Sequence, residues 1–306
     1  MSNTPDVIFP YIGIQIQYLE REAFNIFGLS VYWYGVFVVL GILAGVCAPW
    51  FNAKRDAASA DKRSGDPITT EQVLDFAYIV IPLSLVGTRL YYVFSMWGQY
   101  KDNLLDIFNV RGGGLAIHGA ILTGVLTTIV YAKVKKMNAL RLADICVVGL
   151  PIGQAIGRWG NFVNQEVFGR YTNNPFAMCY KLEAVNTANV TPDILDNLYK
   201  LGGQSYIQVH PTFLYESFWS LLTFIALMLY FNRRKFHGEI LALYLLAYGV
   251  GRFWIEGLRT DQLKFLGTGL PGAQVLSVVM VLGAAVFLIA RRAQVSAEKR
   301  QTGRRA

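Results

Sequence analysis

The sequence predicts an all-α polytopic membrane protein of about seven spans, with a small extracytoplasmic cap between spans four and five. Three observations predict it. Of the 306 residues, 54% are hydrophobic and only 16% are charged, against roughly 25% charged in soluble proteins. The apolar residues are also grouped, most plainly at 31–51, 115–131, 212–231, 240–251 and 273–290, and several runs approach or exceed the roughly 18–20 residues that cross a bilayer. Lys and Arg fall in short patches between these runs and in the C-terminal tail, which is where topology determinants sit. The formal charge of +8 therefore does not describe a nucleic-acid groove, and no nucleic-acid partner is expected.

The N-terminal stretch MSNTPDVIFPYIGIQIQYLEREAF lacks a basic region followed by an apolar core and a small-residue cleavage site, so no removable signal peptide is expected. Its aromatics suit a segment lying at the membrane interface. Span one covers about 31–51 and carries no charge. Span two, about 73–97, carries Asp75 and Arg89, and span three, about 115–133, has His118 near its start. Span four, about 142–158, is Gly-rich and interrupted by Pro151. Residues 159–210 are polar and contain NTANVTPDILDNLYK. So long a stretch without a span is read as a folded cap. Spans five, six and seven are expected at about 211–231, 239–258 and 272–290, followed by a basic tail at 291–306. The organisation is thus 1–158 (interfacial segment and spans one to four), 159–210 (cap), 211–290 (spans five to seven) and the tail.

The basic patches orient the bundle. They are Lys54, Arg55, Lys62 and Arg63; Lys133, Lys135, Lys136 and Arg141; Arg233, Arg234 and Lys235; and Arg291, Arg292, Lys299, Arg300, Arg304 and Arg305. An odd number of spans puts all four on one side, which the positive-inside rule makes the cytoplasm. The N-terminus is then extracytoplasmic and the C-terminus cytoplasmic. Cys47 and Cys146 lie in apolar spans as small hydrophobes, and Cys179 lies in the cap without an evident partner. Neither a disulfide framework nor a zinc pattern is present, and no metal or organic cofactor is expected.

Polar residues at membrane depth carry the functional signal. The segment GRWGNFVNQEVFG, 157–169, places Arg158, Asn161, Asn164 and Glu166 where span four meets the cap. A charge at that depth costs about 2.5–3.5 kcal/mol on insertion scales, so it must pair or line a wet cavity. A polar helix end anchored among headgroups would read the same way. In span six Tyr248, Arg252 and Glu256 follow at intervals of four and share one helix face, as a stabilising pair or as part of a site. RGGGLAIHGA, 111–120, puts His118 after a flexible Gly run, where it is either a satisfied polar residue or a site residue. Tyr34 in YWYG and His210, Tyr215 and Glu216 in HPTFLYE lie near the same outer level. Arg89 in GTRLYYV would complete a ring, unless it is a counter-ion for Asp75 or a headgroup anchor. Two arginines with carboxylates, a histidine and tyrosines suit an anionic lipid headgroup, because the planar guanidinium donates two bonds to a phosphate at once.

At these residues the chain resembles the prolipoprotein diacylglyceryl transferases. GRWGNFVNQEVFG matches the family signature G-R-x-G-N-F-x-N-x-E-x-x-G, and the RGG…HGA, HPTFLYE and YGxxRFxxE segments look like the family's in the same order, over roughly 30–290. The resemblance implies a multi-pass enzyme of the bacterial inner membrane. Such an enzyme moves the diacylglyceryl group of phosphatidylglycerol to the thiol of the lipobox cysteine of a preprolipoprotein, forming a thioether and releasing glycerol 1-phosphate. Its partners would be phosphatidylglycerol, the signal peptide with its lipobox cysteine, and membrane lipids. Carried over by motif, Arg158, Asn161, Glu166 and Gly169 fall on signature positions, and His118, Arg252, Glu256, Tyr248 and Tyr34 on other site positions. His118, Arg158 and Arg252 are the expected catalytic set; Arg158 also joins Asn161, Glu166, Gly169, Tyr34, Tyr248 and Glu256 in substrate binding. The cap after Arg170 and the basic tail depart from the family pattern.

The chemistry sets matching demands. The thiol, with a pKa near 8.5 in water, must become a thiolate, and charge growing on the departing phosphate must meet preorganised cations. Arg158 and Arg252 suit the phosphate, Glu256 and Glu166 suit holding groups, and His118 is the candidate base, since imidazole titrates near 6.5. A lipid phosphate oxygen is an alternative proton acceptor. A transporter or flippase for an anionic lipid or solute is the rival function, but the polar groups are biased outward instead of reaching both faces.

Overall fold

The computed structural model describes residues 4–58, 67–109, 113–265 and 269–303. Lys62, Arg63, Arg111, Arg304 and Arg305, named above, lie outside the described residues. Within those residues the order is β1 (Val7–Phe9), β2 (Ile14–Ile16), β3 (Glu22–Ile26), β4 (Leu29–Tyr32), α1 (Trp33–Ala58), α2 (Thr70–Ser95), α3 (Trp97–Tyr100), α4 (Ile117–Val134), α5 (Ala139–Val147) and α6 (Gly149–Asn164). There follow β5 (Met178–Lys181), α7 (Pro192–Asp196), β6 (Tyr199–Leu201), β7 (Gln204–Val209), α8 (Thr212–Tyr230), α9 (Glu239–Leu258) and α10 (Gly272–Gly303). Among the described residues, seven helical segments are long and apolar enough to cross a membrane, with mean hydropathy from 1.2 to 2.5. This is the polytopic helical protein that composition predicts.

The chain divides into two units. One comprises Met1–Gly45, Val148–Phe231 and Ala242–Ala306; the other comprises Val46–Val147 and Asn232–Leu241.

In the first unit β1, β2, β5, β6 and β7 form a five-stranded antiparallel sheet of order β2-β1-β5-β7-β6. The N-terminal stretch belongs to it, since Val7 pairs with Tyr180 and Ile8 with Cys179. Met178 pairs with Val209 and Tyr199 with Tyr206 on the other side. Val7, Phe9, Met178, Tyr180, Ile207 and Val209 form a core that continues into Phe162 and Val163 of α6 and Phe213 of α8. Burying these side chains seats the sheet on the ends of two spans, at ~1.5–3 kcal/mol for each large one. Below the sheet, α6 packs on α8, where the Ser217 hydroxyl donates to the Ala155 carbonyl at 2.8 Å, and meets α1 through Gly41, Gly45, Gly149 and Gly153.

The fourth span, Ala139–Asn164, extends past the expected bounds at both ends and is interrupted near Pro151 as expected. α5 stops at Val147 and α6 starts at Gly149, because Pro151 has no N–H for the Val147 carbonyl four residues back and its ring crowds it. α6 then runs past 158 to Asn164, so most of the motif is helical and ends in a left-handed Gln165 at φ 57°. The basic tail is likewise helical as far as Gly303.

In the second unit α2 begins with a capping box, Thr69 Oγ1 accepting from Gln72 N at 3.2 Å and Gln72 Oε1 from Thr69 N at 2.9 Å. Buried Asp56 pairs with Arg141 at 2.9 Å and with Arg234. Asp144 accepts from the backbone N–H of Gly238 at 2.8 Å and of Leu241 at 2.9 Å, tying the start of α9 to α5. Two residues of the basic patches, Arg141 and Arg234, are therefore structural ion pairs as well.

Arg89 is neither a partner for Asp75 nor a headgroup anchor. It is buried and donates five hydrogen bonds of 2.7–3.0 Å to the carbonyls of Asp106, Ile107, Asn109, Gly113 and Gly114. Guanidinium has five donors in a fixed fork, and here the fork folds the loop before α4. Asp75 lies fourteen positions earlier on α2, about 21 Å away along the helix, beyond any side chain's reach.

Candidate active site

Five of the site candidates of the first unit, Arg158, Asn161, Glu166, Arg252 and Glu256, gather around Glu216. Three segments bring them there. The C-terminal half of α6 carries Arg158 and Asn161 on one face, three residues apart, and Arg158 Nη1 donates to Asn161 Oδ1 at 3.2 Å. The left-handed exit of the helix, with Gln165 at φ 57° and Val167 at φ 59°, turns the chain back. A β-branched residue in that region is strained, a cost sustained by its surroundings. The turn brings Glu166 under the helix end, where its Oε1 accepts from Asn161 Nδ2 at 2.8 Å and Asn164 Nδ2 at 3.4 Å. A polar relay therefore runs from Glu166 through Asn161 to Arg158.

The first turns of α8 supply Glu216, buried, whose Oε2 lies 2.5 Å from Arg158 Nη2. The last turns of α9 supply Arg252 and Glu256, and Arg252 Nη1 reaches Glu216 Oε1 at 3.5 Å. Arg252 Nη2 stands 2.7 Å from Oε2 of buried Glu256. The pairing at that oxygen is electrostatic, outside hydrogen-bond geometry. The i,i+4 spacing of span six thus becomes an ion pair within one helix, and Glu216 joins it to α6.

Beyond α9, Arg259 is fixed by Asp261 in a two-pronged pair of 2.8 and 2.7 Å. It also lies 3.9 Å from Glu216 Oε1 and 3.9 Å from Glu256 Oε2. Burial alone would lower the Arg259 guanidinium, but Asp261, Glu216 and Glu256 together hold it above its ordinary range. Burial alone would likewise raise the Asp261 carboxyl, and the hydrogen bonds and charge of Arg259 hold it below the usual carboxylate range.

Gly169 closes this end by allowing close approach. It bridges to Arg259, and its N–H donates to the His210 carbonyl at 3.0 Å, while Arg170 N donates to the Leu258 carbonyl at 2.8 Å. A Cβ on Gly169 would come within 2.7 Å of His210 Cβ and 3.0 Å of the Leu258 oxygen. The motif's last glycine thus zips the chain after α6 to the loop that carries Arg259.

The remaining candidates are more peripheral. The Tyr34 ring, at the start of α1, lies against α6 so closely that a Cβ on Gly160 would meet it at 2.8 Å. Tyr248 stacks on Tyr244 at 5.8 Å between centroids, and the Tyr244 hydroxyl accepts from Gln154 Nε2 at 2.9 Å. His210 and Tyr215 share Asn174, whose Nδ2 lies 3.3 and 3.2 Å from them, and burial lowers the His210 imidazole below its ordinary value. His118 belongs to the second unit, in the first turn of α4, exposed and stacked on Tyr91 at 5.7 Å.

Sequence reasoning gave Glu216 no role and passed over Arg259 and Asp261 altogether. The signal for Arg259 was present: it follows Glu256 by three positions, continuing the face that carries Tyr248, Arg252 and Glu256.

Comparison with known proteins bears on what such a cluster serves. The family described as Prolipoprotein diacylglyceryl transferase matches residues 21–290. A phosphatidylglycerol–prolipoprotein diacylglyceryl transferase of Clostridioides difficile is 40% identical over 265 residues, covering 87% of this chain and 92% of the relative. Relatives of the same name from Finegoldia magna (37% identical, 90% of this chain and 98% of the relative) and Bacillus cytotoxicus (39%, 92% and 96%) are similar to it throughout. All three are named transferases, which favours an enzyme over a transporter. The chain belongs to the prolipoprotein diacylglyceryl transferase family.

Proposed function

We propose that this membrane transferase takes phosphatidylglycerol and attaches its diacylglyceryl group to the lipobox cysteine of a prolipoprotein. In the balanced step the thiol loses its proton, its sulfur forms a bond to the lipid's glycerol carbon, and the C–O bond to the phosphate breaks. The electron pair leaves on glycerol 1-phosphate, and the product is a thioether. The observation that carries this reading is the convergence of Arg158 from α6 and Arg252 from α9 on one carboxylate, 2.5 and 3.5 Å away. Two guanidinium groups on separate spans can grip one anion, and a phosphodiester is the anion that this lipid offers.

The roles follow from chemistry. Arg158 and Arg252 stabilise the charge that grows on the departing phosphate; removing one such donor costs about 10²–10³-fold in rate. Asn161 and Glu166 hold Arg158 through their hydrogen bonds, and Glu256 holds Arg252. Tyr34, Tyr248 and Gly169 shape the surroundings of the headgroup. His118 is the base for the thiol, a role that rests on the family motif and on imidazole chemistry. An open cavity of about 470 Å³ lined by Tyr18, Glu20, Glu22, Trp33, Phe37 and Trp159 shares α6 with the arginine cradle. We place the protein in the bacterial inner membrane, N-terminus outside, on the strength of its basic patches.

The test uses purified protein, phosphatidylglycerol vesicles and a lipobox peptide. Wild type should add the mass of a diacylglyceryl group to the peptide and release glycerol phosphate, and Arg158→Ala should abolish both. No mass gain alongside a working control enzyme would refute the assignment.

A further inference from the structure

Glu216 stands where the lipid phosphate would have to stand. Its two oxygens lie 2.5 Å from Arg158 and 3.5 Å from Arg252, the two groups assigned above to the phosphate, so the inference rests on that reading. A carboxylate and a phosphodiester are both anions that accept from the guanidinium fork, and two like charges cannot share it cheaply in a low dielectric. One must yield.

Arg259 is placed to take the carboxylate. Its Nη1 is 3.9 Å from Glu216 Oε1, about 1 Å beyond hydrogen-bond contact. Its Nε and Nη2 are held by Asp261, so the guanidinium is braced with Nη1 towards Glu216. We propose that Glu216 competes with the lipid phosphate for Arg158 and Arg252, and that Arg259, braced by Asp261, receives the Glu216 carboxylate as the phosphate binds.

Local pairing favours an exchange over simple addition. Arg158, Arg252 and Arg259 already face Glu216, Glu256 and Asp261, three cations against three anions. Moving Glu216 to Arg259 frees Arg158 Nη2 and Arg252 Nη1, while Arg252 Nη2 stays with Glu256, and leaves no carboxylate unpaired, which in a buried site would be costly. Glu216 is thus a positioning residue: it keeps the two arginines apart and aligned until an anion able to grip both replaces it.

The experiment measures KM for phosphatidylglycerol and kcat for peptide lipidation on the purified full-length enzyme and its variants. Glu216→Gln should lower KM about tenfold, because a neutral amide no longer competes. Arg259→Gln should raise KM about tenfold, because the carboxylate has nowhere to go. The double variant should resemble Glu216→Gln alone. A rise in KM for Glu216→Gln would overturn the exchange and leave Glu216 as a brace. An Arg259→Gln effect that persists in the double variant would also overturn it, showing that Arg259 touches the lipid itself. If Glu216→Gln does not accumulate folded, Glu216→Asp is measured, whose shorter carboxylate should lower KM by less and whose rise in KM would count against the exchange. Failure of wild type to transfer from phosphatidylglycerol would sink the proposed function itself, whereas wrong-signed variants of an active wild type would sink only the exchange.

Discussion

In the second unit Asp56, Arg141 and Asp144 form a closed set of charges, whereas around Glu216 in the first unit three arginines stay partly open. Arg141 and Asp56 retain 4% and 1% of their side-chain exposure, and the Asp144 oxygens are taken by backbone N–H groups. Arg158, Arg252 and Arg259 retain 24%, 17% and 11%. Both are charge clusters in spans or at their ends. The difference is capacity: one has spent its donors on the fold, while the other keeps donors that an incoming anion can reach. A buried ion pair is therefore no guide to function until its remaining exposure and its spare hydrogen-bonding groups are counted.

The widest separation of the two clusters comes from truncating one arginine in each. Arg141→Ala takes one cation from buried Asp56 and should destabilise the protein by about 3–5 kcal/mol, read as a large loss of thermal stability in detergent. Activity per folded molecule should persist. Arg158→Ala should invert that pattern, with transfer lost and a smaller loss of stability, because Glu216 keeps Arg252 and Arg259 nearby. Equal stability losses in both variants would erase the distinction drawn here.

His118 tests the base role that the family motif implies. His118→Gln should cut turnover about 10²-fold, the lower range for a general base, without a comparable change in KM for the lipid. Near-wild-type turnover would hand the proton to another group, such as a phosphate oxygen of the lipid. Gly169→Ala is a smaller perturbation within the open cluster. The new methyl meets His210 and the Leu258 carbonyl, so it should cost about 1–3 kcal/mol in stability and slow transfer by displacing Arg259. Unaltered kinetics in that variant would separate Arg259 from the working site. The smallest effect concerns the cap: burial pushes the Cys179 thiol up to about 12, so maleimide at pH 8 should leave it unlabelled until the protein is unfolded.

Much of the site was legible in the sequence because its parts are local. Arg158, Asn161 and Glu166 lie within nine residues and do form one hydrogen-bonded relay. Arg252 and Glu256, four apart on a helix, do pair at 2.7 Å. Helical spacing predicts the Arg158–Asn161 and Arg252–Glu256 contacts, while Glu166 reaches Asn161 through the left-handed turn after α6. The strands of the cap were hidden for the opposite reason. β1 is three residues long and pairs with β5 some 170 positions later, so neither periodicity nor turn chemistry announces it. Arg89 misled because a charge in a span invites the search for a counter-ion, and backbone carbonyls have no signature in sequence.

Composition and the grouping of apolar residues determined by themselves that this chain is a bundle of membrane spans, because apolar runs of that length cross a bilayer as helices, which satisfy their own backbone. The motif likewise determined which residues stand together at the end of the fourth span. Only the tertiary structure decided that Glu216 from α8 sits between Arg158 of α6 and Arg252 of α9, and that Arg259 with Asp261 waits beside it. The spacing of residues along one helix follows from its pitch, but which helices meet, and at which turn, is set by packing and by the sheet and loops that clamp their ends.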